Sequence, residues 1–165
     1  MTESLHYKVA QFYYQEAEML DSYQYQDWFE LMTEDIEYKM PVRINKENGD
    51  LSHKEVEMYH FLDDYETLKL RVERLYTNYA WAEDPPSRIR RLVTNVQIKE
   101  NHEDQLLVKS YFILYRSRGS DARFELITGE RMDTLISISD GLKIKKRVIH
   151  VDQATLNLKN LAVFF

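Results

Sequence analysis

The sequence predicts an α+β fold in which helices gather early in the chain and a long antiparallel meander follows. Three observations carry this. Before residue 85 the apolar residues recur with helical spacing, as in Val9, Phe12, Tyr13, Ala17 and Leu20. Beyond it they alternate, with Leu92, Thr94, Val96 and Ile98 on one face and Arg91, Val93, Asn95 and Gln97 on the other. Between the two regimes stands Pro85-Pro86, where neither residue has an N–H to give and the second proline restricts the first to extended geometry. A strongly curved, mostly antiparallel sheet wrapped around the N-terminal helices covers both sets of apolar faces.

The first helix is predicted from a cap at Thr2 or Ser4 to about Asp21, and a shorter one follows a break at Ser22, carrying Tyr25, Trp28, Phe29 and Met32. Core packing explains these aromatics better than a cofactor box. Ile36, Tyr38, Met40, Val42 and Ile44 alternate with Glu37, Lys39, Pro41 and Arg43 as a half-buried strand. Pro41 places that strand at an edge or a bulge. Asn45 to Leu62 reads as polar and irregular, with a capping box at Ser52–Glu55 that could open a short helix. Asp63-Asp64 caps a helix with Leu68, Val72, Leu75 and Tyr79 on one face.

Four strands follow: Ile89 to Lys99, Gln105 to Arg116, Ala122 to Ser137 with a bend at Gly129, and Leu142 to Asp152. The second is apolar on both faces and is placed centrally. In the last, Ile144, Val148 and His150 are set opposite Ile149 and Val151.

The 165 residues are read as one domain, 1–165, able to bury roughly 70% of its unfolded surface. A net charge of −6 argues against a nucleic-acid binder and against an electrostatic membrane tether. The chain has no cysteine, which rules out disulfides, a thiol nucleophile and thiolate-held metal. No leader is visible and no apolar run nears the ~20 residues that span a bilayer, so a cytoplasmic protein is the default.

Few residues group into chemistry. On a continuous helix His53, Glu57, His60 and Asp64 would share a face, and two histidines with a carboxylate are non-haem iron ligands. The segment is charged and lacks an apolar stripe, so a solvated face is the better reading and no metal site is assigned. Asp27, Asp35 and Tyr14 are the candidates for acid–base work in a pocket closed by the sheet, weighed against caps and packing. No phosphate loop can be built from four glycines in turns. The short basic cluster Arg88, Arg90, Arg91 points to both faces of a strand, which favours ion pairing.

Twelve tyrosines, seven phenylalanines and two tryptophans are more than one small core hides comfortably, and aromatic residues concentrate at protein–protein contacts. The tail Leu161-Ala162-Val163-Phe164-Phe165 is apolar throughout, so it must dock, on its own domain or on a neighbour.

Tyr79 to Val96, YAWAEDPPSRIRRLVTNV, resembles the segment that marks the small, or beta, subunit of aromatic-ring-hydroxylating dioxygenases, the Rieske non-haem iron oxygenases. The stretch from Phe12 to Asp21 followed by Trp28 resembles it too, as do Met40-Pro41-Val42-Arg43, Asp152-Gln153-Ala154 and the close Lys159 to Phe165. The resemblance implies a cone-shaped fold, similar to nuclear transport factor 2 (NTF2-like, SnoaL-like). It implies a non-catalytic structural small subunit with no cofactor, metal or catalytic residue of its own.

Its partner would be a large (alpha) subunit, usually in an alpha3beta3 hexamer, carrying a Rieske [2Fe-2S] cluster and a mononuclear Fe(II). That complex would cis-dihydroxylate an aromatic hydrocarbon with oxygen and with NAD(P)H electrons delivered through a ferredoxin or reductase. Trp81, Arg88, Arg90 and Phe165 are the expected interface or interface-shaping residues. The alternative is a stand-alone cone-fold isomerase, dehydratase or cyclase using a pocket carboxylate.

Overall fold

In the computed structural model, residues 4–42, 58–77, 87–153 and 163–165 are described. Helix α1, Leu5–Asp21, starts where Ser4 Oγ accepts from the Tyr7 N–H at 3.2 Å. It buries Val9, Phe12, Tyr13 and Leu20, and also Glu16. Helix α2, Tyr25–Phe29, is a single turn that buries Trp28. Met32 no longer belongs to it and opens strand β1, Met32–Pro41. Strand β2, Tyr59–Asp63, pairs antiparallel with β1, and the register slips between Met40 and Pro41, the bulge that a proline without an N–H demands.

Sequence pattern alone does not reveal β2. Helix α3, Tyr65–Arg74, follows a reciprocal cap: the Asp64 carboxylate accepts from the Thr67 N–H, and the Thr67 hydroxyl accepts from the Asp64 N–H, both at 2.9 Å.

The meander comprises β3 (Arg88–His102), β4 (Gln105–Ser117), β5 (Phe124–Ile138) and β6 (Gly141–Val151). The curved sheet runs β2-β1-β6-β5-β4-β3, antiparallel throughout except where β1 lies parallel to β6. The hollow face carries the core: Leu106, Val108, Phe112 and Leu114 of β4, Ile127 and Leu135 of β5, Ile144, Ile149 and Val151 of β6, packed under α1 and α2.

Two expectations change. Strand β4 lies next to the edge strand β3, and its second apolar row is exposed on the convex face. In β6, Leu135 pairs with Ile144 while Thr134 pairs with Lys146, so Lys145 is an extra residue. That bulge reverses the alternation. Ile144 therefore points inward with Ile149 and Val151, and Arg147 joins them.

The long edge of β3 is blunted by side chains from the N-terminal helical region. Asp21 accepts from the Arg91 N–H at 3.0 Å, Tyr23 donates to the Ser87 carbonyl at 2.6 Å, and His6 Nε2 lies 2.9 Å from the Val96 carbonyl. A bulge with Asn95 at φ 53° lies between the paired residues Thr94 and Gln97. Together these limit strand addition at that edge.

Candidate functional site

Alternation along β5 puts Arg131 and Asp133 on the same inward face as Ile127 and Leu135. The β6 bulge brings Arg147 beside them, and helical spacing on α1 adds Tyr13 and Glu16. The result is a charged cluster inside an apolar core. Arg147 is fully buried between two carboxylates. Its Nε and Nη2 donate to Asp133 at 2.9 and 2.7 Å, its Nη2 also donates to Glu16 at 3.0 Å, and Nη1 donates to the other Glu16 oxygen. Tyr13 donates to Asp133 at 3.0 Å and the Trp28 indole to Glu16 at 3.0 Å. Arg131 lies over the Tyr13 ring at 5.0 Å, and its nitrogens reach Ser110 Oγ at 3.3 Å and Glu16 at 3.4 Å.

Pairing decides the protonation states. Burial pushes the Glu16 carboxyl up, but the positive charges of Arg147 and Arg131 and the hydrogen bonds from Arg147 and Trp28 outweigh it, and its pKa falls from 4.5 to about 2. Burial, with Asp133 nearby, raises the Tyr13 hydroxyl well above its ordinary value. Both groups are thus driven further into the form they already hold at neutral pH, the opposite of what a general acid or base needs. Beside the cluster lies a cavity of about 10 Å³ lined by Glu16, Phe112, Arg131 and Phe165 among others, room for about one water.

The residues expected to do acid–base work lie elsewhere. Asp27 is exposed in the first turn of α2. Asp35 is exposed on β1, 3.4 Å from Lys145, because the strand's parity turns it outward. Tyr14 is half exposed and lines an open surface cleft of about 340 Å³ with Glu18, Asp21 and Arg90. Of the histidine–carboxylate set, His53 and Glu57 lie outside the described residues. His60 is in β2, a strand, and Asp64 caps α3, so no helical face joins these two. No group of three or more metal-ligating side chains occurs among the described residues.

Trp81 also lies outside the described residues. Arg88 and Arg90 are exposed on β3, paired with Ser117 and Tyr115. Arg91, next to Arg90, turns inward and makes a buried ion pair with Asp21 at 2.6 Å. Phe165 is 2% exposed, and residues 163–165 pack into the core of their own chain. What stands exposed is the convex face: Leu92 on β3 opposite Ile113 on β4, Tyr115 opposite Leu126 on β5, and the Phe124 ring 5.4 Å from that of Tyr115.

A family profile described as ring hydroxylating beta subunit matches residues 15–158. The chain belongs to the ring-hydroxylating beta-subunit family. The beta subunit of 3-phenylpropionate/cinnamic acid dioxygenase from Photorhabdus laumondii is 39% identical, over 100% of this chain and 94% of that one. The beta subunit of biphenyl 2,3-dioxygenase from Rhodococcus jostii (strain RHA1) is 35% identical, over 98% of this chain and 89% of that one. Among solved structures, naphthalene 1,2-dioxygenase with indole in its active site superposes with a TM-score of 0.84 at 24% identity, covering all of this chain and 88% of that one.

A Rieske cluster takes two cysteines and two histidines, and this subunit has no cysteine, so its residues do not fit that group. Among the described residues, no helix is long and apolar enough to cross a membrane.

Proposed function

We propose that this beta subunit is the structural, non-catalytic partner of a large alpha subunit in an alpha3beta3 dioxygenase, with residues 1–165 acting as one cytoplasmic unit. The Rieske [2Fe-2S] cluster and mononuclear Fe(II) belong to the alpha subunit. Electrons from NAD(P)H reach it through a ferredoxin or reductase, and the complex cis-dihydroxylates an aromatic hydrocarbon. The observation that carries this reading is the contrast between the two faces of the sheet. The hollow face, where a cone-fold isomerase or dehydratase would need a chamber and a poised acid, is packed, with its acids paired to arginines. The convex face presents a row of apolar side chains to solvent, the mark of a surface that meets another protein.

Within that reading Arg88 and Arg90 flank the convex apolar row and contact a neighbour, and Trp81 contributes from the preceding segment. Phe165 acts from inside, by fixing the strands that bear the row. Co-expression with an alpha subunit, followed by native mass and turnover of an aromatic substrate, tests the proposal. A heteromeric complex with oxygen-dependent ring hydroxylation is expected. A homo-oligomer that ignores every alpha subunit offered, and that turns over a small molecule unaided, would overturn it.

A further inference from the structure

Between α1 and the edge strand β3 lies the open cleft of about 340 Å³. Its two walls differ in charge. Helix α1 contributes Tyr14, Glu18 and Asp21, and β3 contributes Arg90, Arg91 and Val93. Asp21 and Arg91 already satisfy each other: the Asp21 carboxylate accepts from the Arg91 N–H at 3.0 Å and pairs with its guanidinium at 2.6 Å. The other two charges are free. Glu18 and Arg90 are exposed, and neither side chain has a hydrogen bond or an ion pair among the described residues. The α1 wall therefore offers one free carboxylate and the β3 wall one free guanidinium. Arg90 also belongs to the convex face. Its cross-strand neighbour there is Tyr115, which lies opposite Leu126, and Leu92 stands two residues further along β3. The cleft and the apolar row thus form one continuous surface that turns over the β3 edge.

We propose that this cleft is the socket for a segment of the alpha subunit that carries a basic and an acidic side chain, the base reaching Glu18 and the acid reaching Arg90. The inference rests on the assembly reading and deepens it, because a partner lying on the convex row meets the cleft without a break. Both signs are needed. A segment of one charge, or of none, would cover Glu18 or Arg90 and leave it desolvated without a partner, which is destabilising. The Arg90 guanidinium can hold a carboxylate through two parallel N–H groups, which fixes the acid's position more closely than an ammonium would. Side chains make the contact, since Asp21 already accepts from the Arg91 N–H that an added strand would use. The placing of the charges also sets a direction. The acid points to the sheet and the base to the helix, so the partner docks one way round.

In the test, native and variant chains are co-expressed with an alpha subunit, and their ratio in the purified heteromer is read by mass spectrometry. Glu18→Arg and Arg90→Glu should each fall about tenfold below the native chain. The double variant, Glu18→Arg with Arg90→Glu, should do no better, since both charges then face the wrong partner. Each variant alone should melt as the native chain does. Where a reversal lowers Tm, Glu18→Gln or Arg90→Gln replaces it and should still fall several-fold below the native chain. Variants incorporated as well as the native chain overturn the inference and leave the assembly reading intact. So does recovery in the double variant, which would make the two side chains partners of each other. A native chain that alone forms a homo-oligomer, dissolved by Arg90→Glu, would give the cleft to a second copy and overturn it too. A native chain that enters no heteromer refutes the assembly reading and this inference with it.

Discussion

At Arg147 one guanidinium serves two side-chain carboxylates and the backbone oxygen of Phe165, all out of reach of water. Removing it would leave Asp133 with only the Tyr13 hydroxyl, and Glu16 with the more distant Arg131 and the Trp28 indole. Arg147→Ala should cost about 3–5 kcal/mol in urea unfolding. Arg147→Lys should recover only part of that, because an ammonium cannot span both acids in the plane of a fork. Glu16 makes the cluster sensitive to pH. Its folded pKa, about 2, lies below the usual 4.5. The stabilisation is therefore complete above about pH 4.5 and is lost as pH falls towards 2. Urea midpoints at pH 7 and pH 3 should diverge strongly for the native chain. For Glu16→Gln they should lie closer together, from a lower starting stability.

Among the elements, β5 shows where a strand leaves no room for a side chain. A Cβ on Gly129 would lie 2.3 Å from the His150 carbonyl and 2.9 Å from the Phe112 ring. The first of these neighbours is backbone, so neither strand can give way without shifting the sheet. Gly129→Ala should cost about 1–3 kcal/mol, measurable by thermal unfolding.

The Asp64 cap and the slip at Pro41 were visible in the sequence, because each depends on local backbone chemistry. The bulge at Lys145 was not, since no residue there demands it. One extra residue was enough to invert the facing of Val148 and Ile149 and to hide Arg147 among surface lysines. Strand β2 was missed for a related reason: Tyr59 and Leu62 are exposed, and five residues after a long polar stretch give no periodicity to read. The buried cluster escaped because Glu16 lies far along the chain from Arg131, Asp133 and Arg147, and each alone resembles a solvated charge. The one local signal was Arg131 and Asp133 in phase with Ile127 and Leu135.

Over the whole molecule the two faces of the sheet have different duties, and they can be separated by mutation. Leu92→Glu with Leu126→Glu places charge on the convex face without touching the core. The altered chain should keep its circular dichroism and unfold within about 0.5 kcal/mol of the native one. It should nevertheless fail to appear at heteromeric mass when co-expressed with an alpha subunit. Assembly at full yield would move the contact surface elsewhere.

The parallel pairing of β1 with β6 also sets an order of events. Strands β3 to β6 can close on one another through short turns as they are made. Met32 must wait for Ile144, more than a hundred positions later in synthesis, before its strand has a neighbour on that side. Contacts of such long range are slow to form. Strands β1 and β2 are therefore the last part of the sheet to be locked in place, and a nascent chain halted before residue 141 leaves β1 without its partner strand β6.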